Sequence, residues 1–396
     1  MMAKKVRKIM YKIKTLNKIS EKINDVFDDK YEISADCEDE DAVIVRSFSM
    51  HDMELSKNLV AIGRAGAGVN NIPVDQCSEQ GIVVFNAPGA NANAVKEMTL
   101  ASMIIASRNV LESIEWTEGL KGNGDQVPKM AEKGKGQFVG HEIKGMTIGV
   151  IGLGAIGAKV AESAINLGMN VLGTDPHLSV GTALSLSNKV QVVSEDEVIR
   201  NSDVITIHAP LTDETRETYD EEFIAKTKDG VILLNFSRAE IAKASAIKDA
   251  LASGKVKKYI VDFPTDELLG VPGVITMPHL ASGTYEAEDN CAVMAAEQIK
   301  DYIENGNIKN SVNFPACDAG ICEQEQRICV CHRNVKGVIH SVTSIVSDEG
   351  INIWNMVNKS RGDYAYTMLD LSSRLAEDKI QTIRELEGVL SVRAIG

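Results

Sequence analysis

The stretch Met146-Thr-Ile-Gly-Val-Ile-Gly-Leu-Gly-Ala-Ile-Gly157 decides how this chain is read. Its first half, Met146–Ile151, is a short apolar run with the length of a strand buried on both faces. Its second half is Gly152-x-Gly154-x-x-Gly157, followed by the helix-forming run Gly157–Leu167. A lone G-x-G-x-x-G is weak, because glycines also mark ordinary turns. A strand before it, a helix after it and an acid at the end of the next strand make it specific. That acid is Asp175, after the strand-like Asn170–Gly173. In such a loop Gly152 permits the tight turn, Gly154 lets a pyrophosphate approach the backbone, and Gly157 lets helix and strand pack closely. The helix N-terminus attracts phosphate. Asp175 would accept hydrogen bonds from ribose hydroxyls and repel a 2′-phosphate, so NAD is expected over NADP.

Working outward, strand-like runs follow at Val190–Val193, Val204–His208, Val231–Asn235, Tyr259–Asp262 and Val274–Pro278, with helical stretches between most of them. This βαβα alternation predicts an α/β, doubly wound parallel (Rossmann) sheet. Ala92–Arg108 reads as a long helix, and Gly119–Gly140 as a polar, glycine-rich surface excursion. In the first ~90 residues Ala42–Val45, Leu59–Gly63 and Gly81–Phe85 read as buried strands and Pro73–Gln80 as a short helix, an α/β unit of its own. Thr284–Asn305 reads as another long helix. Asn313–Gln324 has no period, so a linker is placed at 315–326. Residues 327–396 then read strand, helix, strand, strand, helix, strand, a ferredoxin-like order.

Composition excludes some classes. Net charge is −14, which argues against a nucleic-acid partner. No apolar run approaches the ~20 residues of a membrane span. Met1–Ile9 is basic without an apolar core, so no signal peptide is read and a cytoplasmic location is expected. The seven cysteines are odd in number and irregularly spaced, which reads as reduced thiols. Cys317-x4-Cys322 and Cys329-x-Cys331 have no second CxxC or paired His to complete a zinc spacing, so no metal is expected.

Oxidation of a 2-hydroxy acid by hydride transfer needs a base for the hydroxyl proton and a cation for the carboxylate. Histidine titrates near neutrality and suits the first task. Arginine offers a planar fork for the second. Arg238 follows the strand run Ile232–Asn235, and His279 follows Val274–Pro278, both at strand ends where parallel sheets bind ligands. His208 also sits at a strand end, and spacing alone leaves both histidines open.

Together these residues resemble the D-2-hydroxyacid dehydrogenase family over almost the whole chain. The resemblance runs through Val45-Arg-Ser47, Ile62-Gly-Arg-Ala-Gly-Ala-Gly68, Phe85-Asn-Ala-Pro-Gly-Ala-Asn91, Gly149–Gly157, His208-Ala-Pro-Leu-Thr212, Asn235-Phe-Ser-Arg238 and Pro278-His279. Arg46-Ser47 and the C-terminal element order are similar to the family members that carry an ACT domain. The resemblance implies NAD-dependent oxidation of 3-phospho-D-glycerate to 3-phosphohydroxypyruvate, the first step of L-serine biosynthesis. Its alternatives are a hydroxypyruvate or glyoxylate reductase, or an NAD-binding regulator on the same fold.

Residue by residue, it implies that Arg238 binds the carboxylate and His279 is the acid/base. The carboxylate that the family pairs with this histidine falls at Asp266 or Glu267, depending on how Val261-Asp-Phe-Pro-Thr-Asp-Glu267 is aligned. Ala155, Ile156, Asp175, His208, Phe236, Ser237, Asp262, Ala281 and Ser282 join Gly152, Gly154 and Gly157 around the cofactor. Arg46 and Ser47 would bind the substrate phosphate, the amides of Gly66 and Ala67 its carboxylate, and Asn91 would add a polar contact. The domain division implied is 1–91 with 276–314 for substrate, 92–275 for NAD, and 327–396 for an ACT domain. His332, Asn334 and Asn352 would bind an L-serine effector in a homo-oligomer, a dimer or tetramer.

Overall fold

The computed structural model describes residues 10–396, so the basic segment Met1–Ile9 and the leader reading made from it lie outside the described residues. Strands β1 (Tyr11–Leu16), β2 (Tyr31–Ser34), β3 (Ala42–Val45) and β4 (Ala61–Arg64), helix α1 (Val74–Glu79) and strand β5 (Val83–Phe85) come first. The strands make a parallel sheet of order β2-β1-β3-β4-β5. The sequence reading passes over β1 because Lys12 and Lys14 interrupt its apolar residues. Ile13 between them is fully buried, the alternation of a strand with one wet face.

Helices α2 (Ala92–Arg108), α3 (Val110–Glu118) and α4 (Val127–Gly134) lead into the second sheet. It comprises β6 (Thr147–Ile151), α5 (Ala155–Asn166), β7 (Asn170–Thr174), α6 (Val180–Ser185), β8 (Val190–Val192), α7 (Glu195–Asn201) and β9 (Val204–Ile207). Then come α8 (Glu221–Lys226), β10 (Val231–Asn235), α9 (Ala244–Ser253), β11 (Val256–Val261) and β12 (Val274–Thr276). All seven strands are parallel, in the order β12-β11-β10-β9-β6-β7-β8. The order reverses between β6 and β9, the switch point at which such sheets bind dinucleotides. Strand β10 is buried along its whole length, with Leu233 facing one core and Ile232 and Leu234 the other. Helix α7 starts at Ser194, whose hydroxyl caps Glu197 N–H, with Glu195, Asp196 and Glu197 in the first turn, where the helix dipole favours acids.

Two element readings change. The expected excursion 119–140 contains α4 and two single tight turns, and Trp116 packs on Phe138 with ring centroids 5.5 Å apart. Strand β11 begins at Val256, before the expected Tyr259, because Lys257 and Lys258 hide the pattern.

Helix α10 (Tyr285–Asn305) returns to the first sheet. Its Ala292, Ala296, Ile299 and Ile303 share a core with Ile13, Ile44, Ala61 and Phe85. Then follow β13 (Gln326–Arg333), α11 (Val338–Asp348), β14 (Ile353–Arg361), β15 (Tyr364–Leu371), α12 (Glu377–Arg384) and β16 (Val389–Ile395), an antiparallel sheet of order β14-β15-β13-β16. Ile328 and Val330 face α11 and α12 on one side, in a core with Val342 and Ile383. Cys329 and Cys331 face the other way, into the core that holds Phe85, Tyr302 and Phe314.

The structure falls into two compact units, residues up to Asn91 with Tyr285–Gly396, and Ala92–Thr284. Strand β12 ends at Thr276, where the substrate segment is expected to begin, and the chain passes into the first unit after Thr284. Nor is 315–326 a free linker. Cys317 is buried and exchanges backbone bonds with Ile308 (2.7 and 3.0 Å), and Ala319 N–H donates to Asn307 (3.0 Å). These are side-chain and bridge contacts without a repeat, which no periodicity registers. Among the described residues no helix is long and apolar enough to cross a membrane.

Candidate functional site

The second unit gathers its candidates at the carboxyl ends of its strands. After β6, Gly152 has φ +89°, and a Cβ there would lie 2.9 Å from the His208 carbonyl carbon. A Cβ on Gly157 would strike the Gly152 carbonyl oxygen, so only glycine lets α5 start this close to the strand. Gly154 faces open space at the exposed start of α5, where Ala155 and Ile156 also present their amides. Asp175 ties the loop to β7: its carboxylate accepts from Leu153 N–H (2.9 Å) and His177 N–H (2.8 Å). A carboxylate has about four acceptor positions, so capacity is left for ribose hydroxyls. At the end of β9, His208 Nε2 lies 3.0 Å from Thr206 Oγ1, while its Nδ1 is buried with no hydrogen-bond partner. Burial pushes the His208 pKa down to about 4, so the ring is neutral near pH 7. An open glycine cradle at a helix start, an acid beside it and an orphaned buried ring nitrogen fit a dinucleotide.

The strands that follow end at the remaining candidates of this unit. After β10, Asn235 accepts from Ser237 N–H (3.0 Å) and donates to the Arg238 carbonyl (2.8 Å), and Ser237 Oγ donates to the Ile207 carbonyl (3.0 Å). Phe236 is buried beneath this turn, and Arg238 is exposed. Its guanidinium carbon sits 5.5 Å from the Phe263 ring centroid. The His279 ring lies 4.6 Å from the same phenyl ring, centroid to centroid. Arg238 and His279 therefore share one aromatic wall. Phe263 goes unassigned in the sequence reading, although an aromatic directly after an acid at a strand end was there to be noticed.

Asp262 turns out to shape the loop. Its buried carboxylate accepts from Leu280 N–H (2.6 Å) and Ala281 N–H (2.9 Å), and its carbonyl from His279 N–H (2.8 Å). Burial raises its pKa, and the two amides and the nearby His279 offset part of that rise. This clamp holds His279 at φ +53°, with Ala281 buried and Ser282 half-buried behind it. Asp266 and Glu267 both lie exposed in the turns after β11.

In the first unit, Arg46 and Ser47 follow β3. Asn71 fastens this loop through the Arg46 carbonyl (3.3 Å) and Phe48 carbonyl (2.7 Å), and Asn17 accepts from Ser47 N–H (3.2 Å). The Arg46 guanidinium pairs with Glu288 at 2.8 Å. Arg64 ends β4, and its guanidinium lies against the α-carbon of Gly66. Gly66 N–H is already committed to the Arg64 carbonyl (2.8 Å) in a tight turn, so the expected backbone donor pair narrows to Ala67. Asn91 sits half-buried in the turn before α2. Neither Arg64 nor Glu288 has a role in the sequence reading; Arg64 lies inside a motif quoted there.

In the C-terminal sheet His332 is buried, with Nδ1 2.8 Å from the Arg333 carbonyl and Nε2 2.9 Å from Thr367 Oγ1. Both ring nitrogens are engaged, so His332 is a core histidine and not an open effector ligand. Asn334 donates to the Gly362 carbonyl (3.1 Å), and exposed Asn352 starts β14. Among the described residues no three His, Cys, Asp or Glu side chains gather as a metal site.

Residues 100–281 match the family described as D-isomer specific 2-hydroxyacid dehydrogenase, NAD binding domain. A D-3-phosphoglycerate dehydrogenase of Archaeoglobus fulgidus is 36% identical over 288 residues, 70% of this chain and 52% of that protein. D-3-phosphoglycerate dehydrogenase 1 of Saccharomyces cerevisiae is 31% identical over 345 residues, 81% of this chain and 70% of that one. The NAD-bound 3-phosphoglycerate dehydrogenase of Entamoeba histolytica superposes with a TM-score of 0.60 at 26% identity, covering 77% of this chain and 99% of that one. The chain spans about half the length of the first of these relatives. It belongs to the D-isomer specific 2-hydroxyacid dehydrogenase family, with NAD as its cofactor.

Proposed function

We propose that this chain oxidises 3-phospho-D-glycerate to 3-phosphohydroxypyruvate. The observation that carries the reading is the pairing of Arg238 and His279 on one aromatic wall at the strand ends of a dinucleotide-ordered sheet. Arg238 holds the substrate carboxylate in its fork and draws electron density from the reacting carbon. His279 takes the hydroxyl proton as the C–H hydride departs, and returns it in the reverse direction. NAD, held by the Gly152–Gly157 loop and Asp175, supplies the hydride acceptor. Arg46 takes the phosphate, which supports this substrate over glyoxylate or hydroxypyruvate, and the names of the relatives point the same way.

Residues up to Asn91 with about 285–314 serve substrate binding, and 92–284 serve NAD. The sheet order β14-β15-β13-β16 with both helices on one face supports an ACT domain over 327–396 that responds to L-serine in a homo-oligomer. Seven free cysteines suit a cytoplasmic setting. The test is NADH oxidation with 3-phosphohydroxypyruvate, hydroxypyruvate and glyoxylate, each repeated with NADPH. The expected result is the highest kcat/KM for the phosphorylated acid with NADH. Equal or better turnover of glyoxylate would overturn the substrate assignment, and no turnover of any of them would favour a regulator.

A further inference from the structure

The guanidinium that the proposed function assigns to the phosphate is already held by an acid. Arg46 Nη1 lies 2.8 Å from Glu288 Oε1, and each side chain is 39% exposed. Glu288 lies in the first turn of α10, which packs on β3, just before Arg46, and on β4, which ends at Arg64. The buried Cys291 stands one turn further along the same helix. Below them the chain is pinned, because Asn71 holds the backbone on both sides of Ser47. An exposed ion pair of this kind is weak. A dianionic phosphate can therefore take Arg46 from it through stronger bidentate bonds. The backbone of Glu288 stays in place when that happens, because its helix is packed on the sheet.

We infer that Glu288 is a specificity-determining residue: a built-in competitor for Arg46 that every phosphorylated substrate must displace and that weakens its binding. The inference rests on the reading of Arg46 as the phosphate anchor. A carboxylate left about 6 Å from a phosphate dianion repels it by roughly a factor of ten in affinity in water, and by about threefold after screening at physiological salt. An uncharged substituent in place of the phosphate feels none of this.

The experiment is steady-state reduction of 3-phosphohydroxypyruvate and of hydroxypyruvate by the full chain, its Glu288→Gln variant and its Arg46→Ala variant. Glu288→Gln is expected to lower KM for the phosphorylated acid about three- to tenfold, with both kcat values and the hydroxypyruvate KM within about twofold. The gain should shrink as salt approaches about 1 M, and the inorganic phosphate concentration that inhibits by half should fall in parallel. An unchanged or higher KM for the phosphorylated acid overturns the proposal, and so does an equal shift on both substrates, which marks a structural role. If Arg46→Ala raises the phosphorylated KM while Glu288→Gln does not lower it, only the Glu288 assignment falls. If Arg46→Ala spares the phosphorylated KM, the phosphate reading falls and this inference with it.

Discussion

His279 occupies a backbone conformation that residues with a β-carbon seldom adopt, and the buried Asp262 carboxylate holds the loop there. Strain of this sort is kept where geometry matters to chemistry. His279→Ala is expected to lower kcat by roughly 10²–10⁴, the usual yield of general acid–base catalysis, while NADH titration shows nearly unchanged affinity. Arg238→Lys is expected to fail as well, since an ammonium ion has no fork. A variant lacking His279 that still turns over at full rate would move the assignment to His208. That histidine makes a separate prediction. Its pKa falls from 6.5 in the unfolded chain to about 4 in the folded one, so the unfolded state binds a proton first as the solution is acidified. Stability is therefore lost as pH falls from 6.5 toward 4. The loss is roughly 2 kcal/mol by about pH 5. Urea midpoints measured at pH 7 and 5 should show this slope, and His208→Gln should flatten it.

Between elements, Arg327 joins separate pieces of chain. It is fully buried, and it donates to both Asp370 oxygens (2.5 and 2.9 Å) and to the carbonyls of Asn305, Gly320 and Ala319. One side chain thus ties β13 and β15 to the end of α10 and the segment after it. Arg327→Met is expected to cost about 3–5 kcal/mol in urea or thermal unfolding, because it strands a buried carboxylate and several carbonyls. Arg327→Met with Asp370→Leu should recover much of that loss; a double variant no more stable than the single one would show that the carbonyl contacts dominate. Nothing in the sequence announces this pair. What sequence shows well is repetition: VILLN at β10 and the glycine loop at 152–157 were legible because a buried strand and a phosphate turn each demand particular residue types in order. Strand β1 is hidden by its lysines, the anchoring of 315–326 by its irregular contacts, and Phe263 by the absence of any rule naming a wall between an arginine and a histidine. Strand ends point to Arg238 and to both histidines, and only the resemblance favours His279 over His208. The burial that leaves His208 neutral is a property of the folded chain alone.

At the scale of the whole molecule, the length of one strand separates the two asparagines proposed to bind an effector. Asn334 is bonded to Gly362 just past the end of β14, while Asn352 stands just before its start. Nine residues of strand separate these points by about 30 Å, and no amino acid bridges that span. Yet β14 is an edge strand with open backbone groups, and it exposes Trp354 and Met356. A second copy paired antiparallel along that edge would bring its Asn352 toward this copy's Asn334, making a site that only a dimer has. Millimolar L-serine is therefore expected to slow NADH oxidation and to raise the dimer fraction in sedimentation, two readings of one coupling. Removing the C-terminal sheet is a poor test, because it strips Cys329, Cys331, Tyr366 and Met368 from the core around Phe85 and Tyr302. Asn352→Ala is the cleaner change, and the ratio of rates with and without serine should then approach one. Serine that inhibits this variant as strongly as the parent would place the effector elsewhere. If serine leaves the parent's rate and assembly untouched, the C-terminal sheet is a structural extension of the first unit.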